Sequence, residues 1–371
     1  MNVPVADWKV TKYQKKLVNE VLDSGRLTYG PKTELLEKEF AKIHGRKYAL
    51  FTNSGTSALQ VALHAMKRKY GWKDGSEVII PALTFMATMN VVLQNNLKPV
   101  LCDIDPDTLN IDVENAPISD KTVAIIPVHL LGRVADMDKI NNLGLHVIED
   151  SCETMFVKYK GKPVGSHSRV SCFSTYLAHL MNTGVGGFIT TDDDELAGTM
   201  RSMMFHGRNE KYLSIDDKSS WKNRFQFDKP GYSYRATEME SALGLDDLKN
   251  YKKILKARQY NAGYLIENLK NIPHLKFPVG DLENHAFMLF PIIVDKDRDS
   301  LIDFLEKNDI QTRTIMPLTN QAWTMYALGP IEDNYPKTKY VNDHGFLIGC
   351  HQYLTKEQLD YVISKIKEFY G

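Results

Sequence analysis

The first two-thirds of the chain contains short apolar runs that lack the polar alternation of half-exposed strands. These runs lie at 48–52, 77–80, 99–103, 123–127, 145–149, 170–174 and 187–190. Stretches with helical periodicity at 56–70, 84–94 and 195–204 separate some of them. Continuous apolar strands joined by helices are typical of a parallel sheet that is covered on both faces. The pattern therefore predicts a large α/β domain with a mostly parallel central sheet.

The pattern changes after about residue 237. A long amphipathic stretch at 238–269 precedes segments typical of a strand, a helix, a strand and a terminal helix, at 286–294, 299–307, 312–316 and 355–369. Such a mixture predicts a small α+β domain at the C-terminus. We expect the large domain to comprise residues 1–245 and the small domain residues 246–371. We further expect residues 1–30 to pack near the functional site.

Composition and charge exclude several kinds of partner. The chain has 371 residues, of which 43% are hydrophobic and 25% are charged, and 46 basic residues balance 46 acidic ones. This balance provides no basic surface for nucleic acid, and no apolar run reaches the ~18 residues of a membrane helix. Asp7 and Lys9 are not followed by the apolar core of a signal peptide. We therefore expect a cytoplasmic protein with no nucleic-acid or membrane partner.

The four cysteines, at positions 102, 152, 172 and 350, are widely spaced and form no C-x-x-C pair. Zinc sites and ferredoxin-type iron–sulfur sites use closely spaced cysteine ligands. The spacing therefore favours thiols that are buried and pack as small apolar residues. No metal site is predicted.

A polar junction, Asn53-Ser54-Gly55-Thr56-Ser57, follows the first predicted strand. Free backbone N–H groups and the positive end of the helix dipole favour a phosphate at such a junction. The same residue types also form an ordinary helix N-cap. The junction lacks the G-K-[ST] signature of a P-loop. Phosphate binding and simple capping are both open interpretations on this evidence.

Two further strand ends carry candidate chemistry. Asp150 ends an apolar strand, and ligands of α/β proteins collect at the carboxyl edge of the sheet. A carboxylate in that place can hold a proton on a heterocyclic nitrogen, which makes the ring an electron sink. Phe85 follows another strand and is a candidate for stacking on an aromatic ring. A helix-capping aspartate and a core phenylalanine are the alternative interpretations.

His179 lies in the segment 171–187, which consists of a strand, a hydroxyl-rich turn and a glycine-rich stretch. Its neighbours Leu177, Ala178, Leu180 and Met181 are apolar. A lone histidine in such surroundings is more often structural than catalytic. No role for His179 follows from this segment alone.

In their order along the chain, these residues resemble the DegT/DnrJ/EryC1/StrS sugar aminotransferase family of fold-type I, vitamin B6-dependent enzymes. The likeness extends over essentially the whole chain. It rests on the blocks S-G-R-L-T-Y-G-P (24–31), S-G-T-S-A-L (54–59), P-A-L-T-F-M-A-T (81–88), D-I-D-P-D-T-L-N-I-D (103–112), P-V-H-L-L-G (127–132), V-I-E-D-S-C (147–152), G-Y-S-Y-R-A-T-E-M-E-S-A-L-G-L (231–245) and G-C-H-Q-Y-L-T (349–355).

The resemblance implies a pyridoxal phosphate or pyridoxamine phosphate cofactor. The residues expected to hold its phosphate are Gly55, Thr56, Ser57 and Ser174. The ring is expected to stack on Phe85, to pair through its nitrogen with Asp150, and to have Glu153 near its hydroxyl. Family members are homodimers with shared active sites, and the partner usually contributes an asparagine to the phosphate. Ser233 stands at that asparagine position here.

His179 is the informative departure from the family pattern. Aminotransferases of the family carry a lysine at this position, which binds the cofactor covalently. No lysine lies between Lys162 and Lys211, so a small shift of register supplies none. The resemblance then implies a cofactor that is held non-covalently, with pyridoxamine phosphate as the working form.

A histidine in place of the lysine marks the sugar 3-dehydratases of the family. One type carries a two-iron cluster on cysteines of its C-terminal half, but this chain has no cysteine from 173 to 349. The resemblance therefore points to the type that acts on GDP-4-keto-6-deoxymannose, with no iron–sulfur cluster. It implies that His179 moves protons while the 3-hydroxyl of the sugar nucleotide leaves, and that glutamate regenerates the cofactor.

Four further residues are candidates for contacts with the sugar nucleotide or with glutamate: Arg235, Arg313, His351 and Thr28. For either arginine, an ordinary ion pair is the alternative interpretation. Two alternative functions are also open. One is an aminotransferase that works without the lysine, and the other is a catalytically silent homologue. The retained Asp150, Phe85 and Ser174 argue against the silent homologue.

Overall fold

A seven-stranded sheet forms the centre of the first two-thirds of the chain. The computed structural model describes residues 1–209, 225–315 and 317–371. In chain order the strands are β1 (Tyr48–Thr52), β2 (Glu77–Pro81), β3 (Lys98–Cys102), β4 (Thr122–Ile125), β5 (His146–Asp150), β6 (Lys158–Tyr159), β7 (Lys162–Pro163), β8 (Val170–Ser174) and β9 (Gly187–Thr191). Strands β6 and β7 form a separate two-stranded ribbon, and the others form the large sheet.

The order of strands in the large sheet is β1-β9-β8-β5-β4-β2-β3. Strand β9 is antiparallel to both of its neighbours, and the remaining pairs are parallel. The prediction of a mostly parallel sheet is confirmed. The carboxyl ends of β1, β2, β5 and β8 consequently meet at one edge, where β9 begins.

Helices cover this sheet. They are α1 (Lys12–Ser24), α2 (Pro31–Ile43), α3 (Gly55–Tyr70), α4 (Met86–Gln94), α5 (Met137–Asn141) and α6 (Asp194–Met204). Strands β2, β8 and β9 are buried along their whole length, as their continuous apolar character predicts. Within the described ranges, no helix has the combination of length and apolarity that crossing a membrane requires.

The C-terminal part is built on a four-stranded antiparallel sheet. Its elements are α7 (Glu238–Leu269), β10 (Leu275–Lys276), β11 (Phe290–Val294), α8 (Arg298–Lys307), β12 (Thr312–Thr314), α9 (Ala322–Leu328), α10 (Pro336–His344), β13 (Gly345–Ile348) and α11 (Lys356–Tyr370). The strand order is β10-β11-β13-β12. Strand β12 is shorter than the predicted 312–316, and residue 316 lies outside the described residues.

Strand β11 begins at residue 290, later than the predicted start at 286. Phe287 has a left-handed backbone with φ of +49°, which interrupts an extended strand. The N–H groups of Ala286 and Met288 instead donate to the carbonyls of Gly132 and Leu131, at 2.7 and 3.1 Å. This segment therefore joins the C-terminal part to the loop that follows β4.

Helix α7 starts at a capping box formed by Thr237 and Glu240. It runs along α1 and α2 and then along α11, so it connects both parts of the molecule. Val3 pairs with Ile310, which brings the start of the chain to the C-terminal sheet. The division between residues 245 and 246 stays a proposal, and it falls inside α7.

Candidate functional site

Three loops are in direct contact at the carboxyl edge of the large sheet. A Cβ placed on Gly55 would lie 2.8 Å from the Cβ of Ser174 and 2.9 Å from the sulfur of Cys152. A Cβ on Gly187 would lie 2.6 Å from the backbone N of Gly55. Both glycines therefore allow a backbone approach that no other residue permits. The start of α3 consequently lies beside the ends of β5 and β8.

Ser54 caps helix α3. Its hydroxyl accepts from the backbone N–H of Ser57 at 3.0 Å and lies 2.9 Å from the Ser57 hydroxyl. Thr56, in the first turn, is exposed. The capping interpretation of this junction is confirmed, and it does not compete with phosphate binding. The cap leaves the helix dipole and the remaining first-turn groups available to an anion.

Asp150 is 3% exposed at the end of β5. Its carboxylate accepts from the Thr88 hydroxyl at 3.0 Å and from the backbone N–H of Cys152 at 3.2 Å. Burial raises the pKa of Asp150 above its ordinary value because both of these donors are neutral and compensate only part of the lost solvation. A cationic partner, such as a protonated ring nitrogen, fits a carboxylate in this state.

Phe85 is the N-cap of α4 and has an extended backbone, so the predicted helix start at residue 84 is wrong by two residues. The later start of α4 places Phe85 outside the helix, and its side chain is 56% exposed. Thr88, one turn further on, holds Asp150. An exposed phenyl ring one helical turn before the residue that holds Asp150 is able to stack on a planar aromatic ligand.

Glu153 is a second buried acid near this edge. Its carboxylate accepts from the backbone N–H of Leu131 at 2.8 Å. Burial raises the pKa of Glu153 to about 7, because this one hydrogen bond offsets only part of the desolvation and the charge of Asp150 adds repulsion. Glu153 is therefore able to donate or to accept a proton near neutral pH.

His179 lies in the loop between β8 and β9, close behind Ser174. Its Nδ1 is buried and makes no hydrogen bond with any described residue. Burial, together with the positive charge of Arg258, lowers the pKa of His179 to about 4. The imidazole is thus neutral at physiological pH and keeps a free nitrogen. An unprotonated imidazole nitrogen without a hydrogen-bond partner is able to accept a proton from a bound group.

Ser233 and Arg235 are exposed side by side. The guanidinium donates to the Ser233 hydroxyl at 2.9 Å and lies over the ring of Phe205. Tyr234, between them, accepts from the N–H of Asn53, which attaches this segment to the end of β1. Both side chains are exposed, and the backbone of Arg235 pairs with Thr52 next to the α3 junction.

The other predicted substrate contacts are not joined to this group by hydrogen bonds. Arg313 is exposed on β12 and donates to the carbonyl of Thr312 at 2.7 Å. His351 is 2% exposed, and its Nε2 lies 3.1 Å from the Pro4 carbonyl. Thr28 is exposed ahead of α2. Their roles stay predictions, and the His351 contact favours a structural role.

His129, another histidine of the family-like blocks, has a structural role. Its Nδ1 accepts from the backbone N–H of Ala135 at 3.1 Å, so Nε2 carries the proton and donates to Glu149 at 3.0 Å. Both side chains are fully buried. The backbone N–H of His129 also donates to the Asp150 carbonyl at 3.0 Å, so the buried pair holds the end of β5.

Sequence reasoning missed three residues that hold the site together. Thr88 holds Asp150, and Asp247 and Arg258 hold the His179 loop from helix α7. Thr88 was detectable, since it follows Phe85 by one helical turn in the T-F-M-A-T block. The two α7 residues gave no signal, because charged residues on an amphipathic helix are ordinarily solvated.

The comparisons with known proteins agree with this architecture. The solved structure of Helicobacter pylori PseC, an aminotransferase, superposes with a TM-score of 0.90 over the whole of this chain at 24% identity, which places the protein in the aminotransferase fold class. A model of the DegT/DnrJ/EryC1/StrS aminotransferase family matches residues 9–367. The chain belongs to this family.

Individual relatives differ in their activity. GDP-4-keto-6-deoxy-D-mannose 3-dehydratase of Escherichia coli O55:H7 is 30% identical, and the match covers 99% of this chain and all of that protein. GDP-perosamine synthase of Caulobacter vibrioides is 32% identical over 90% of this chain and 88% of its own. A solved GDP-4-keto-6-deoxymannose-3-dehydratase with a trapped PLP–glutamate geminal diamine is 28% identical. It superposes with a TM-score of 0.89 over 98% of this chain and all of that one.

Proposed function

We propose that this protein is a pyridoxamine phosphate-dependent 3-dehydratase of the GDP-4-keto-6-deoxymannose type, with glutamate regenerating the cofactor. The observation that carries the proposal is His179, which stands at the lysine position of the family with a neutral ring and a free Nδ1. A similar protein with this named activity supports it. The structure of such an enzyme with PLP and glutamate supports the cofactor and the amino donor.

The described residues fit the cofactor. Asp150 offers a buried carboxylate whose donors are neutral, and Phe85 offers an exposed ring. Gly55, Thr56, Ser57 and Ser174 form the cradle for the phosphate at the start of α3. Glu153 is the candidate partner of the ring hydroxyl. With histidine at position 179, this set holds the cofactor without a covalent bond.

When bound, pyridoxamine phosphate supplies a primary amine that condenses with a keto group and a ring that stores an electron pair. His179 accepts a proton from the carbon that bears this amine and delivers a proton to the departing 3-hydroxyl oxygen. Its imidazole performs both transfers because it starts neutral and has a free nitrogen. A lysine amine at this position would instead compete with the sugar for the cofactor.

The overall reaction balances with glutamate as the source of two electrons. One sugar nucleotide and one glutamate give the 3-deoxy sugar, one 2-oxoglutarate and one ammonia. The hydroxyl oxygen leaves as water, and a second water supplies the oxygen of the 4-keto group when the nitrogen leaves as ammonia. Arg235 and Arg313 are the candidates for binding the glutamate carboxylate, because a guanidinium binds a carboxylate in a bidentate manner.

We also propose a homodimer with shared active sites. Ser233 and Arg235 stand exposed near the α3 junction, where the Arg235 guanidinium donates to the Ser233 hydroxyl at 2.9 Å. In that position they are available to a second copy of the chain. Ser233 replaces the family's asparagine, so we expect its contact with the partner's phosphate to be weaker or indirect.

An amino-sugar-forming aminotransferase is the second candidate. It is favoured by the similarity to GDP-perosamine synthase, at 32% identity over most of both chains. This activity would require an amine to pass between glutamate and sugar without the lysine. The two candidates differ in product, because an aminotransferase leaves nitrogen on the sugar and releases no ammonia.

The test is incubation of the protein with pyridoxamine phosphate, glutamate and GDP-4-keto-6-deoxymannose, with the product identified by mass spectrometry. We expect the wild-type protein to form a sugar nucleotide that has lost one oxygen and gained no nitrogen. We expect His179→Asn to form no such product. CDP- and dTDP-linked keto sugars in parallel show which nucleotide is accepted. An amino sugar would support the second candidate, and no turnover of any of these substrates would contradict both.

A further inference from the structure

The guanidinium of Arg258, on helix α7, is buried among neutral oxygen atoms. The side chain is 2% exposed. Its hydrogen bonds go to the side-chain oxygen of Gln352 at 2.9 Å and to the carbonyls of Phe287 at 2.9 Å, Met288 at 2.8 Å and His179 at 3.2 Å. One side chain thereby connects the His179 loop to two segments of the C-terminal part.

A buried cation without a bonded carboxylate is costly unless hydrogen bonds replace its hydration. Burial lowers the pKa of Arg258 to about 10, so the group stays charged at neutral pH. The four acceptors must therefore remain in place around it. A displacement of the His179 carbonyl would leave part of a buried charge without a partner, which opposes movement of the loop.

Asp247 holds the other side of the same loop. It precedes Arg258 by eleven residues, about three helical turns, so both side chains lie on one face of α7. Its carboxylate accepts from the backbone N–H of Asn182 at 2.9 Å. Asn182 in turn donates through its side chain to the Leu177 carbonyl at 3.4 Å. Helix α7 consequently fixes the loop on both sides of the imidazole.

We propose that Arg258 is a positioning residue for His179, which it holds through the backbone carbonyl of that residue. This inference rests on the proposed role of His179. No hydrogen bond orients the ring through Nδ1, so the backbone of the loop has to set its position. Among the described residues, Arg258 is the charged group that affects the ring, and the titratable Tyr176 has its ring 6.4 Å from the imidazole in an edge-on arrangement.

The test compares Arg258→Met, Arg258→Lys and the control Lys256→Met, an exposed change on the same helix. Three quantities are measured: the NMR titration midpoint of His179, the affinity for pyridoxamine phosphate, and turnover of the sugar nucleotide. For Arg258→Met we expect turnover to fall by roughly 10- to 100-fold, since small misplacements of a reacting group have effects of this size. We also expect the His179 midpoint to move up toward that of an ordinary histidine.

Arg258→Lys keeps the charge but not the fork of donors, so we expect a low midpoint and partly restored turnover. If Arg258→Met folds and keeps both the wild-type titration midpoint of His179 and the wild-type turnover, the inference is wrong. If that variant does not fold, wild-type turnover in Arg258→Lys would overturn it. Failure of the proposed function is distinguishable, because it appears as absent dehydration in the wild-type protein. The NMR midpoint needs no substrate and still decides the inference.

Discussion

The proposed role of His179 puts an imidazole where aminotransferases of the family carry a lysine amine. We predict that the wild-type protein, loaded with pyridoxal phosphate and treated with borohydride, carries no added mass after denaturation, since an imidazole forms no reducible bond with an aldehyde. His179→Lys should retain the cofactor covalently after the same treatment. Intact-protein mass spectrometry reads both results. Reducible labelling of the wild-type protein would show that another lysine has taken over the role.

For Asp150 we predict opposite effects of one substitution on two quantities, the stability of the cofactor-free protein and its affinity for the cofactor. In Asp150→Asn the amide keeps an oxygen for the Cys152 N–H and turns its NH2 toward the Thr88 hydroxyl, so a buried charge is removed without loss of hydrogen bonds. We expect the cofactor-free variant to be as stable as wild type or about 1 kcal/mol more stable. We expect its affinity for pyridoxamine phosphate to fall by about 10- to 100-fold, because a bond to a charged group is lost.

Thermal unfolding without cofactor and titration calorimetry with it measure the two effects of Asp150→Asn separately. Thr88→Val serves as the control, because it removes a donor to Asp150 without touching the charge. A destabilised variant with unchanged cofactor affinity would show that Asp150 is structural.

At the scale of the elements, strand β5 depends on Glu149. This fully buried carboxylate accepts five hydrogen bonds, from His129 Nε2, the N–H groups of Gly165 and His167, and the hydroxyls of Ser168 and Ser171. Burial alone would raise its pKa, but His129 and the other donors lower it to about 2 from an ordinary 4.5. Its contribution to stability is therefore present above pH 4.5 and is lost as the pH falls toward 2.

We predict that Glu149→Gln destabilises the protein by about 3–5 kcal/mol at pH 7, because an amide turns two hydrogens toward donors. Urea unfolding at pH 7 and pH 4 measures the loss, which should shrink at the lower pH. The control is Glu153→Gln. In the wild-type protein the pKa of the Glu153 carboxyl is raised to about 7, so the stability that this group contributes is lost as the pH rises through 7. Equal destabilisation by both variants at pH 7 would contradict this account.

The sequence allowed most of the large sheet to be predicted, because strands buried on both faces leave continuous apolar runs. Helices α1 and α2 were missed. Helix α1 buries only Gln14, Leu17 and Val21, a stripe too narrow to produce a clear period. Its capping box at Thr11 and the left-handed Gly25 at its end were the available signals. Strand β13 is four residues long and was hidden beside the family-like block at 349–355.

The candidate site was predictable where a strand end fixes a residue, as for Asp150, whereas Ser174 was named only through the family resemblance. It was not predictable where tertiary contacts decide the outcome. The exposure of Phe85 depends on a helix that starts two residues late, and Arg258 acts on His179 across 79 positions of sequence. A charge that is buried by folding looks in the sequence like any solvated charge.

At the scale of the whole molecule, the proposed homodimer predicts that neighbouring subunits share their sites through the exposed Arg235. Homodimers of His179→Ala and of Arg235→Ala should each be inactive. Mixed by dissociation and reassociation, they should recover about a quarter of wild-type activity, because half of the dimers are hybrids with one intact site. The activity assay and sedimentation of the mixture measure this. If mixing restores nothing, or if Arg235→Ala is active alone, the shared site is contradicted.

The most direct test of the central claim follows the nitrogen of glutamate. The protein is incubated with pyridoxamine phosphate, 15N-glutamate and GDP-4-keto-6-deoxymannose, and the labelled products are observed by NMR. A 3-dehydratase releases the label as ammonium in a one-to-one ratio with the 3-deoxy sugar, and the sugar carries no 15N. Label that remains bound to C4 of the sugar would contradict the account and establish an aminotransferase that works with histidine in place of lysine.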